Sequence, residues 1–261
     1  MNFENRHAYF HFSSGVRKSG RFALGDEAQK FLATFRELAR SRQNELKAGN
    51  YLYRAVRDFR EIELPDGSPD ICGASEDRLR PKAEFASDGR VNSRGIPCLY
   101  LASSIDTAIS EVRTWIGERV SVATFHITSD LKLVDFSIFH GRLGIFNLSF
   151  PQIFGEREIS PQLADQCVWA DIDNAFSTPV SRSDNHASYV PTQILAEALK
   201  EDGVDGLVYK SAFGGDNGYN VALFDVKAGD IVKCALHEIR AISVEHSECG
   251  NPWVKRSSNS M

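Results

Sequence analysis

No apolar run in the sequence approaches the roughly 20 residues needed to cross a bilayer, so no membrane-spanning role is expected. The five cysteines, Cys72, Cys98, Cys167, Cys234 and Cys249, form no C-x-x-C pair and no zinc-type spacing with histidine. Scattered and odd in number, they read as reduced thiols rather than a disulfide framework. None of the seven histidines belongs to an H-E-x-x-H. His7 and His11 have its spacing in H-A-Y-F-H but lack its glutamate, so no metal is expected. A Walker loop, a G-x-G-x-x-G fingerprint and a G-x-S-x-G elbow are all missing. Positive charge is not in excess either: the formal net charge is −5, which argues against direct nucleic-acid binding. The opening M-N-F-E-N-R-H lacks the basic start and apolar core of a secretory signal. Together with the thiols, it makes the cytoplasm the expected compartment.

What is present is the composition of a soluble globular chain: 261 residues, 42% hydrophobic and 25% charged. That is enough for one elaborated domain with a small N-terminal segment. Apolar residues at helical spacing predict a helix over 26–47, expected to pack on the main domain. Y-L-Y-R-A-V at 51–56 reads as a strand and 64–88 as loop. A buried strand over 98–102 is followed by a helix over 105–116, capped by Ser103 or Ser104. Further strands fall at 120–127, 131–136, 206–210 and 219–225, and a Pro-initiated helix at 191–200. Residues 141–190 read as irregular, and the last dozen as a frayed tail. Short strands and unequal connections favour α+β over a doubly wound parallel sheet.

Several residues are candidates for chemistry. Arg54 shares a strand face with Leu52 and Val56, an odd place for a charge. It needs an anionic partner, either an internal carboxylate or a ligand phosphate. Arg90, Asn92 and Arg94 precede a glycine, a loop that presents cations and amides to an anion or only to solvent. Glu111 lies at the border of the apolar stripe Ile105, Ala108, Ile109, Val112 and Ile116. There it is either a partly dehydrated functional carboxylate or a boundary residue that reaches water. S-A-F-G-G-D-N-G at 211–218 allows close backbone approach but matches no phosphate-binding pattern.

Together these pieces resemble the RES family, named for an Arg, a Glu and a Ser. The resemblance rests on L-Y-R at 52–54, G-R-V-N-S-R-G-I-P-C-L-Y-L-A at 89–102 and Glu111. It continues with Y-V-P-T-Q-I-L-A-E at 189–197, D-G-L-V-Y-K-S at 205–211 and N-V-A-L-F at 220–224. Val91 stands where the family has Trp, so ring packing beneath this loop should differ. The resemblance implies an ADP-ribosyltransferase-like α+β fold, with two small sheets flanking a cleft and helices around it. It implies a helical extension over 1–49, an NAD-cleaving domain over 50–245 and a tail over 246–261.

It further implies cleavage of the nicotinamide–ribose bond of NAD+, the substrate rather than a cofactor, with phosphate or water as acceptor. Many members are toxins held in check by an Xre-type antitoxin; a homo-oligomer is also compatible. Arg54, Glu111 and Ser211 would be catalytic. Arg54 and Arg90, with Arg94 behind them, would neutralise the phosphates, and Tyr100 would line the ribose region. Ser211 would hydrogen-bond ribose or phosphate, and Tyr53 and Asn220 would line the site. The alternatives are ADP-ribose transfer to a macromolecule and nucleotide binding without turnover.

Overall fold

The computed structural model describes residues 1–19, 23–142, 148–153, 157–178, 186–215, 217–244 and 246–251. Its α-helices are α1 (Ala8–Ser19), α2 (Asp26–Ala39), α3 (Glu76–Leu79), α4 (Ile105–Glu111), α5 (Phe150–Ile153), α6 (Pro161–Ser177) and α7 (Val190–Glu201). Its strands are β1 (Gln43–Leu46), β2 (Tyr51–Val56), β3 (Phe59–Glu63), β4 (Pro69–Gly73), β5 (Leu99–Ala102), β6 (Arg119–Ile127), β7 (Leu131–Phe136), β8 (Gly206–Lys210), β9 (Tyr219–Leu223) and β10 (Gly229–Glu238). The class is α+β, as the irregular alternation of elements implied.

The strands do not form two small sheets. Eight of them share one hydrogen-bonded sheet, ordered β1-β7-β8-β9-β5-β2-β6-β10, and β3 and β4 make a separate ribbon. Neighbours run antiparallel except β7 and β8. The two halves of the large sheet meet at β5 and β2 through a single registered pair, Tyr53 and Ala102. The expected division therefore survives as a seam, because β5 is four residues long and is spent mostly on pairing with β9.

Period-two alternation sorts the side chains around that seam. Leu99 and Leu101 of β5 and Val221 and Leu223 of β9 form one cluster with Leu52 of β2 and Phe125 and Ile127 of β6. The halves thus curl around a common core. The alternate positions of β5 and β9, Tyr100, Ala102 and Asn220, are left to face the cleft that holds the candidate site.

Helices cover the other face of β7 and β8. Phe35 of α2 stacks on Phe136 of β7, and Phe136 on Phe176 of α6. Arg42 forms a buried pair with Asp173 at 2.6 Å, its guanidinium 4.2 Å from the Trp169 ring. The N-terminal segment shares this core through Phe3, Tyr9, Phe12 and Phe31, and β1 extends the sheet beside β7.

Four local expectations are corrected. The helix predicted over 26–47 ends at Ala39, and residues 43–46 form β1. Turning the chain there lets Arg42 reach Asp173, and β7 offers an edge to pair with. The segment read as irregular contains α6, capped by Ser160, whose Oγ accepts the Leu163 N–H at 3.3 Å. The segment read as loop over 64–88 contains β4 and α3. The helix predicted to run to 116 stops at Glu111, and Arg113 takes a left-handed φ of 50°. Ile116 is consequently exposed rather than part of the apolar stripe, and Trp115 beside it is exposed as well. Most of the predicted tail, residues 252–261, lies outside the described residues.

Candidate functional site

The site is built on the β5–α4 turn. Ser104 caps α4, its Oγ accepting the Thr107 N–H at 3.1 Å, and the short helix rests on β2, β5 and β6. Its last residue, Glu111, faces a cavity of about 480 Å³. Two neutral donors fix this carboxylate. Ser211, at the end of β8, and Asn220, on β9, both donate to Glu111 Oε1 at 2.6 Å. Both are almost fully buried. The Ser211 oxygen also accepts the Phe213 N–H at 3.1 Å, so its own proton is directed to Glu111. Neutral donors hold the carboxylate in place without cancelling its charge. Oε2 has no hydrogen-bond partner among the described residues.

None of the described residues of the glycine-rich loop lines this cavity. A Cβ on Gly218 would come within 2.4 Å of Gly214 Cα, and one on Gly214 within 2.8 Å of Thr107 Oγ1. These glycines let the β8–β9 connection close tightly against α4, which brings Ser211 and Asn220 to Glu111. Asp216 of this loop lies outside the described residues.

Arg54 lines the same cavity from β2. Its Nη1 donates to the Tyr100 carbonyl at 3.0 Å, while its buried Nε has no partner among the described residues. No carboxylate is among its interactions there, so the internal ion pair is not found. Burial, and then the charge of Arg78, push its pKa down. A guanidinium nevertheless remains charged at any physiological pH. A buried cation without an anion is costly, so this is a place for an anionic ligand.

Arg90 enters from the 87–96 loop, which is clamped from two sides. Tyr100 donates its hydroxyl to Asn92 Oδ1 at 2.7 Å and accepts the Val91 N–H at 3.1 Å. Asn92 in turn donates to the carbonyls of Ser87, Ser93 and Ile96. From α7, the buried Gln193 donates to the carbonyls of Gly89 and Asn92, each at 2.9 Å, and to Asp88 Oδ1 at 3.3 Å. Gly89 is required at this crowded point, since a Cβ would meet the Tyr100 hydroxyl at 2.5 Å. Arg90 then sits 5.8 Å from the Tyr209 ring centroid, with its buried Nε unpartnered among the described residues. Val91, in place of the family Trp, is buried in the helix-side core.

The structure therefore gathers Tyr53, Arg54, Arg90, Tyr100, Glu111 and Asn220 on one cavity. Ser211 stands behind Glu111 rather than on the cavity wall. Arg94 does not join them: it is exposed and lines neither this cavity nor its neighbour, its N–H held by Asp88 at 3.2 Å. It sits inside the Ser93–Ile96 turn, where Gly95 takes a φ of 84°. Sequence reasoning missed Arg113, Tyr189 and Tyr209, which also line the cavity. Tyr189 and Tyr209 lie inside motif blocks and could have been flagged. Arg113 had no signal, because its position depends on the left-handed turn after α4. No cluster suited to a metal ion occurs among the described residues, and none of their helices is long and apolar enough to cross a membrane.

The sequence model of the RES domain matches residues 70–245. That span includes Arg90, Tyr100, Glu111, Ser211 and Asn220 but not Tyr53 or Arg54. No curated protein matches the chain. Among solved structures it is similar to a chain of the M. tuberculosis MbcT-MbcA toxin-antitoxin complex, at 16% identity and a TM-score of 0.45. That similarity covers 78% of this chain and 92% of the other.

Proposed function

This chain belongs to the RES domain family, and from that premise we propose that it cleaves the nicotinamide–ribose bond of NAD+. The observation that carries the reading is a clamped carboxylate and an uncompensated guanidinium on one cavity: Glu111, held by Ser211 and Asn220, and Arg54, without an acidic partner.

The chemistry suits these groups. Arg54 and Arg90 neutralise the pyrophosphate and anchor the dinucleotide. The C1′–N bond breaks with its electron pair going to the pyridinium nitrogen, so nicotinamide departs neutral and needs no general acid. Positive charge develops on the ribose, and Glu111 Oε2 supplies a fixed negative charge beside it. Ser211 and Asn220 spare Glu111 from reorienting as that charge appears. The ribose carbon is then captured by phosphate or water.

Incubating the pure protein with NAD+ tests the reading. Nicotinamide released in many-fold excess over enzyme supports it, and intact NAD+ overturns it. Titrating phosphate identifies the acceptor through ADP-ribose 1″-phosphate as product. A label retained on added protein would instead mark a transferase. The family resemblance extends the proposal to an NAD-depleting toxin with an Xre-type antitoxin. Expression of this chain should then arrest growth, and co-expression of the adjacent reading frame should relieve the arrest.

A further inference from the structure

A second cavity, of about 620 Å³, adjoins the Glu111 cleft and shares Arg54 and Tyr100 with it. Its charged lining is unbalanced: Arg54, Arg78, Arg80 and Lys82 against Asp77 alone. Arg80 is committed to the fold, donating to the Val226 carbonyl at 3.0 Å with its guanidinium 5.7 Å from the Phe125 ring. Arg78 and Lys82 are not so committed. Arg78 pairs with Asp58 at 3.0 Å and Lys82 with Asp77 at 3.2 Å, and the members of both pairs are substantially exposed. Exposed pairs of this kind are worth about 0–1 kcal/mol, so either cation can exchange its carboxylate for a phosphate at little cost. Phe85, 79% exposed, is also on the lining. Such an uncovered ring suits stacking against a nucleobase.

Arg54 and Arg78 point to the same ligand. Arg54 lies on the boundary between the cavities, where a dinucleotide spanning both would place its pyrophosphate. Arg78 is near enough for its charge to depress the Arg54 pKa, after burial. The two cations repel one another, and one phosphate at Arg54 leaves Arg78 and Lys82 still facing the cavity.

We propose that the larger cavity receives the adenosine half of the dinucleotide, and that Arg78 and Lys82 bind an additional phosphate on its ribose. This rests on the reading that the Glu111 cleft cleaves the nicotinamide–ribose bond. It deepens that reading by making the 2′-phosphorylated dinucleotide, NADP+, a substrate at least as good as NAD+.

The test measures kcat/KM for NADP+ and NAD+ with the wild-type protein and the double variant Arg78→Ala/Lys82→Ala. The wild-type ratio should be one or higher. In the variant, the NADP+ value should fall at least about tenfold further than the NAD+ value, the effect of losing a charge-assisted hydrogen bond. A wild-type ratio below one, or equal losses on both substrates, overturns the proposal. Calorimetric binding to the Glu111→Gln protein makes the test independent of turnover. Tighter binding of NADP+ than NAD+ that disappears in the Arg78/Lys82 background supports the subsite even if the wild-type protein releases no nicotinamide. Equal affinities with and without the two cations overturn it, whatever the fate of NAD+.

Discussion

Ser211 donates its hydroxyl to Glu111 Oε1 at 2.6 Å, across a sequence separation of 100 residues. The bond makes Ser211 a positioning residue, since the serine is buried and touches the cavity only through the carboxylate it orients. Ser211→Ala should therefore lower kcat by about tenfold or more, the worth of a hydrogen bond to a charged group. KM should change little. A KM rise with kcat preserved would show that the hydroxyl contacts substrate directly.

Arg54 carries the opposite expectation for stability. Its charge is buried and has no carboxylate partner among the described residues, so Arg54→Met removes a desolvation cost while keeping the aliphatic volume. The melting temperature should hold or rise while KM for NAD+ increases about tenfold or more. A drop of many degrees would mean that an anion inside the fold pairs with this guanidinium after all.

Gln193 holds the loop that presents Arg90. Replacing it with Leu strands the Gly89 carbonyl and leaves the Asn92 carbonyl only the Gly89 N–H, a penalty of about 1–3 kcal/mol for the stranded group. The loop that presents Arg90 should loosen. KM should rise with kcat nearly retained, and Arg90→Ala should add little in the Gln193→Leu background. Fully additive losses would separate Gln193 from Arg90.

Away from the site, Arg42→Ala leaves Asp173 buried and ionisable with its guanidinium partner gone. Breaking such a pair costs about 3–5 kcal/mol. Denaturant titration should show a loss of that size. A change below about 1 kcal/mol would show that Trp169 and its neighbours repack without the pair.

Much of the site was legible in the sequence because its residues lie in ordered blocks: Tyr53 and Arg54 in the first strand, Arg90 and Tyr100 around the next, then Glu111, Ser211 and Asn220. Period-two alternation rightly marked Arg54 as a charge on an apolar face. Relationships made by tertiary contact were hidden. Arg90 and Arg94 look equivalent until the fold puts Arg90 on the cavity and holds Arg94 in the exposed Ser93–Ile96 turn. Gln193 reads as an ordinary helix residue until its amide is seen capping a loop a hundred residues away. The helix α6 escaped notice because Ala164, Val168, Trp169, Ala170, Ile172 and Phe176 are buried on several faces, which blurs the one-sided stripe that marks an amphipathic helix. Likewise, Q-N-E-L has little strand propensity and becomes β1 because β7 offers it an edge.

The role of Glu111 is tested most directly by NAD+ consumption in Glu111→Gln, a substitution that keeps the size and the hydrogen-bonding geometry but removes the charge. The variant should fold unchanged, retain NAD+ binding and release nicotinamide about 10²-fold or more slowly. Turnover close to wild type would contradict that role, because the bond would then break without the carboxylate that Ser211 and Asn220 hold at the cavity.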